Sequence, residues 1–161
     1  MPEQLARTLQ ETVDNEAALL RGLSDRDAAL KPAPNAWSKK EELGHLIDSA
    51  TNNHVRFVRA SIEPEFHGPG YAQDDWVATH RYHEMPWSDV IDFWQQYNHF
   101  LAGLVRRIPA DRLGTRCAVG NSEPVTLQFL IEDYTLHMQH HLDHILQRET
   151  IRQYPGAAVG V

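Results

Sequence analysis

Four stretches of this chain carry apolar residues at the period of an α-helix, and no other feature constrains the fold as much. The first runs from about Pro2 to Gly22, with Leu5, Leu9, Val13, Ala17 and Leu20 on one stripe. The second opens on Ser38-Lys39-Lys40-Glu41, a capping-box pattern in which Ser38 caps the Glu41 amide and Glu41 reaches back to the Ser38 amide. It continues with Leu43, Leu46, Ile47, Ala50, Phe57 and Val58. The third begins near Pro86, places Val90, Trp94, Tyr97, Leu101, Leu104 and Ile108 on a stripe, and ends before Pro109. The last follows Thr126, a suitable N-cap, and carries Leu127, Leu130, Ile131, Tyr134, His137, Met138, His141, His144 and Ile145.

A helix with one apolar face must bury it, and four helices of similar length do so as a bundle. Between Pro64 and Met85 lie Pro64, Gly68, Pro69 and Gly70, then Tyr71 to Trp76, a connection too long for a tight turn. The fold class predicted is therefore all-α, a four-helix bundle with a long crossover between the second and third helices. Arg116 to Val125 suits a small irregular hairpin. Residues 1–150 read as one domain and 151–161 as a C-terminal tail.

Charge argues against several partners. The formal net charge is -7 and no long basic run occurs, which disfavours nucleic acid and anionic membrane surfaces. No apolar segment is long enough to span a bilayer and the N-terminus lacks a signal-peptide pattern, so a cytoplasmic protein is expected. Cys117 is the only cysteine, which removes internal disulfides and Cys-rich zinc sites, and no base adjoins it in sequence.

The chemistry concentrates near the C-terminus, where His137, His140 and His141 fall within five positions, followed by His144. His137 and His141 are one helical turn apart and can converge on one metal ion. Met138 stands where a zincin would carry its general-base Glu, which excludes that protease motif. His140 and His144 share the same spacing, but His140 lies at the flank of the apolar stripe, so the other pair is favoured. His45, on the second helix, is the candidate third ligand, and Asp48 shares its face as a candidate base or ligand-orienting carboxylate. Three protein ligands with an open position form a catalytic type of site. The competing explanation is a set of hydrogen-bonded histidines without an ion. His54 lies too far along the helix to join His45; His67, His80, His83 and His99 read as exposed; Trp37 and Trp76 read as packing anchors.

Pro34-Asn35-Ala36-Trp37-Ser38 leading into Glu42-Leu43-Gly44-His45-Leu46-Ile47-Asp48, together with His137 to Ile145, resembles the DinB-like (DinB/YfiT) superfamily. The Tyr71 to Trp76 stretch and the Thr126-Leu127 helix start are also similar, so the resemblance covers nearly the whole chain. It implies a four-helix bundle with a crossover and a divalent metal, nickel or zinc, on three histidines, which by motif are His45, His137 and His141. Relatives include metal-dependent S-transferases using bacillithiol or mycothiol, a mycothiol-dependent maleylpyruvate isomerase, and proteins described as metal-dependent hydrolases. The expectation is a small-molecule S-transferase with a low-molecular-weight thiol as cosubstrate. The alternatives are a metal-dependent hydrolase and a non-catalytic metal-binding stress-response protein. A homodimer is also expected.

Overall fold

The computed structural model describes residues 1–149; the expected tail at 151–161 lies outside the described residues. Four long helices dominate: α1 (Pro2–Arg21), α3 (Lys39–Ile62), α5 (Trp87–Arg107) and α6 (Leu127–Ile145). Two short helices, α2 (Asp25–Ala29) and α4 (Gln73–His80), and the strands β1 (Phe66–Gly68), β2 (Arg116–Val119) and β3 (Val125–Thr126) fill the connections. The capping box forms at α3, where Glu41 N donates to Ser38 Oγ at 3.2 Å and Ser38 N donates to Glu41 Oε2 at 2.7 Å. At α6, Phe129 N donates to the Thr126 side chain at 3.1 Å. These bonds satisfy amide donors that a helix start otherwise leaves open.

Cross-helix pairs give the directions of the bundle. Glu3 and Arg21 of α1 meet Arg106 and Asp92 of α5, so these helices run antiparallel. Lys39 of α3 donates to the Ile145 carbonyl and His45 meets His137, so α3 and α6 are also antiparallel. Thr12 and Glu16 of α1 meet Gln139 of α6 and Arg148 just beyond it, which makes α1 and α6 parallel. It follows that α3 and α5, consecutive long helices, point the same way. A tight turn cannot join parallel helices; the crossover between Glu63 and Pro86 carries the chain back.

The predicted hairpin is present, with β2 and β3 antiparallel and Cys117 opposite Val125. The sequence reading missed β1, a strand inside the crossover that pairs parallel to β2, Phe66 opposite Cys117. Three residues are too few to show alternation. The sheet closes one edge of the crossover, with Phe66, Cys117 and Val119 buried.

The core is built from the predicted stripes, and Trp94, Phe57, Tyr134, Leu9, Leu43, Leu101 and Leu130 are among its fully buried side chains. Tyr134 Oη and Asn98 Oδ1 pair inside it, so the buried phenol retains a partner. Gly44 has a steric purpose: a Cβ there would lie 2.1 Å from Tyr82 Cδ2. Tyr82 can therefore lie flat on α3, at the cost of about 1 kcal/mol of helix propensity.

Candidate metal centre

His45 leaves the second turn of α3 and His137 and His141 leave consecutive turns of α6, facing one another because the two helices are antiparallel. One ligand atom from each of the three lies within 4.8 Å of the others. His45 Nε2 and His137 Nε2 are 3.2 Å apart, and the His45 ring sits 4.7 Å from that of His141, centroid to centroid. Two imidazole nitrogens bound to one tetrahedral zinc lie about 3.3 Å apart, given Zn–N bonds near 2.0–2.1 Å. The donor set thus fits a divalent transition metal.

Electrostatics favour the same use. His45 is fully buried and His137 nearly so. Burial, reinforced by the neighbouring His141, pushes the His45 pKa down to about 3. Burial, then His141, His45 and His140, lowers that of His137 to about 2. Both rings are neutral at neutral pH, so a metal ion need not displace protons from them. His140 is half-buried, and its pKa is lowered as well, chiefly by burial.

Sequence reasoning missed Glu42. This nearly buried carboxylate lies 2.9 Å from His141 Nδ1 through Oε1 and 2.8 Å from His144 Nδ1 through either oxygen. One signal existed: Glu42 precedes His45 by three residues and so shares its side of α3. The adjacent capping Glu41 supplied a local explanation for acidic residues there. His144, expected on the buried stripe, is 74% exposed at its side chain. It lies in the final turn of α6, where the helix passes the start of α3 and no element among the described residues covers it.

Asp48 is almost fully buried but turns to the crossover, where its Oδ1 accepts from Tyr82 Oη at 2.7 Å and lies 2.9 Å from His80 Nδ1. Burial raises its pKa against the opposing pull of Tyr82 and His80. His80 is partly exposed as expected, yet its Nδ1 is committed to this carboxylate. His54 meets Tyr97 Oη at 3.0 Å, and His99 and His67 pair with Asp14 and Glu65. His83 lies 3.7 Å from Glu41 and Glu84. None of these joins the triad.

Trp37 does more than anchor packing. Its ring lies 5.0 Å from that of His45, and it lines a cavity of about 650 Å³ with Leu23, Leu30, Pro32, Lys39 and Glu42. Trp76 likewise lines a smaller cavity beside His80. Trp37 and Glu42 line this larger cavity and also meet His45 and His141, which themselves lie behind its wall.

Comparison with known proteins places this geometry in a family. No curated protein matches the chain. Among solved structures, YfiT from Bacillus subtilis matches with a TM-score of 0.77 at 19% identity, over 91% of this chain and 84% of that one. YfiT is described as "a probable metal-dependent hydrolase with an unusual four-helix bundle topology". At that identity the match speaks to the fold, which is shared. The model of the DinB superfamily matches residues 8–145, and the chain belongs to that superfamily.

Proposed function

We propose that the protein is a metal-dependent S-transferase joining a low-molecular-weight thiol, of the bacillithiol or mycothiol type, to an electrophile. His45, His137 and His141 would hold the ion, zinc or nickel, since neutral imidazoles suit these better than magnesium or calcium. The convergence of three histidines, two of them buried and neutral, is the observation that carries this reading. When bound, such an ion supplies Lewis acidity, which keeps a thiol as its thiolate at neutral pH.

The chain's own residues supply the rest. Trp37 covers His45, and with Leu23, Leu30 and Pro32 it offers an apolar wall for the substrate body. Asp48 serves as a positioning residue that pins Tyr82 and His80 of the crossover against α3, one turn beyond His45. Cys117 is no competing nucleophile: it is buried in the small sheet and burial pushes its thiol up to about 11. In this reading the nucleophile comes from solution, as a thiol or as water. Water activation gives the hydrolase reading, which the fold shared with YfiT favours.

Elemental analysis of tag-free protein is expected to find about one zinc or nickel per chain, lost in the His141→Ala variant. Conversion of a model electrophile is expected to require both metal and thiol. Metal-dependent cleavage without thiol would establish the hydrolase instead. Metal binding with no turnover of either kind would leave a non-catalytic metal-binding protein, and full metal retention in His141→Ala would refute the ligand assignment.

The same reading includes a homodimer. Phe93 and Phe100 of α5 are 52% and 55% exposed, and with Tyr97 of α5 and His54 of α3 they form an aromatic face that no element covers among the described residues. Light scattering is expected to give twice the chain mass at micromolar concentration, falling to the chain mass in a Phe93→Glu/Phe100→Glu variant. A monomeric wild type would refute the dimer.

A further inference from the structure

We infer that Glu42 is a positioning residue of the metal centre, fixing the tautomer and orientation of His141. The inference rests on the metal-binding reading above. A neutral imidazole carries one N–H and one lone pair, and only the nitrogen with the lone pair can bind a metal. At His141 the Glu42 carboxylate lies 2.9 Å from Nδ1, so the proton belongs on Nδ1, where it is donated to Oε1, and the lone pair on Nε2 is left for the triad.

The other ligands place this demand on Glu42. His141 is the least buried of the three, only half-buried beside two buried partners, and is therefore the ring that packing restrains least. His45 is held by close packing under Trp37, and its Nδ1 is buried with no hydrogen-bond partner among the described residues. The carboxylate contact replaces at His141 what burial supplies at His45.

His144 completes the arrangement from outside. Its Nδ1 is 2.8 Å from both Glu42 oxygens, so the carboxylate is gripped between two rings one turn apart on α6. Glu42 also lines the cavity beside Trp37, so a molecule bound there would touch the group that orients His141. His144 is a restraint on the carboxylate, and its loss should cost less than that of Glu42 because the contact with His141 remains.

The test uses the full chain as wild type, Glu42→Gln, Glu42→Ala and His144→Ala. Zinc affinity is measured by competition with a chromophoric chelator, and the His141 tautomer by long-range proton–nitrogen NMR of metal-free protein at pH 7.5. Glu42→Ala is expected to weaken zinc binding by about 10- to 100-fold. Glu42→Gln, which keeps the shape and an accepting oxygen, should fall between it and wild type, and His144→Ala, which leaves the Glu42–His141 contact in place, should weaken binding less than Glu42→Ala does. The His141 ring should be the Nδ1–H tautomer in wild type and a mixture in Glu42→Ala. Circular dichroism checks that each variant is folded, and the isosteric Gln variant carries the comparison if Ala unfolds the chain. Wild-type zinc affinity in a folded Glu42→Ala, or an unchanged His141 tautomer in it, would overturn the inference. A wild type that binds neither zinc nor nickel would refute the metal reading, and the tautomer measurement would still decide whether Glu42 sets His141.

Discussion

Loading metal-free protein with zinc at a thousandfold excess over its dissociation constant is expected to raise its thermal midpoint by roughly 10 °C. A ligand that binds only the folded state at that excess adds about 4 kcal/mol. For a chain of this size each kcal/mol moves the midpoint by about 2–4 °C. The source of the gain lies in the polar composition of the site. His45 and His137 occupy positions where a bundle ordinarily places leucine, and a bound ion would give their desolvated Nε2 atoms, 3.2 Å apart, a shared charged partner. Chelation should lower the midpoint without abolishing cooperative unfolding, because the apolar core of the four helices does not depend on the site. Thermal unfolding of loaded protein, chelated protein and the His137→Ala variant checks this. Equal midpoints for loaded and chelated wild type, with occupancy confirmed, would refute it, and complete unfolding on chelation would show an ion that is chiefly structural.

Chelated protein is expected to lose about 4 kcal/mol of stability between pH 7.5 and pH 5 on account of the same two rings. The folded-state values near 3 for His45 and 2 for His137 lie below the unfolded value of 6.5. Below pH 6.5 the unfolded chain therefore binds protons that the folded chain does not, and stability falls as pH falls. At pH 5 the difference is about 2 kcal/mol per imidazole. Asp48 acts in the opposite direction, because its raised pKa makes the folded state the better proton acceptor in its own range. The decisive quantity is thus a difference between proteins: urea unfolding at the two pH values should show a drop about half as large in His137→Gln as in wild type. Equal drops would show that His137 does not titrate as described.

The readable part of the fold was the part set by neighbours in sequence. Ser38 with Glu41, and Thr126 with the Phe129 amide, are contacts across three residues, so helix starts could be placed before any packing was known. Helical period put His137 and His141 on one face, and the length of the Pro64 to Met85 segment implied a crossover. Strand β1 was invisible because its three residues gain their conformation from pairing with β2, about fifty residues later. Trp37 read as a packing residue because spacing does not reveal that a cavity opens beside it.

Sequence by itself determined the four helices, their apolar stripes, the crossover and the identity of three histidines able to share one face of a bundle. Tertiary structure decided what those residues meet. Glu42 contacts His141 and His144 from 99 and 102 positions away, and Asp48 meets His80 and Tyr82 of the crossover, where Gly44 leaves room for the Tyr82 ring against α3. Periodicity assigns a residue to a face, but the rotation and stagger of one helix against another arise from how their side-chain ridges interlock. Those two quantities aligned Glu42 with His141 and left His144 exposed, among the described residues, at the end of α6.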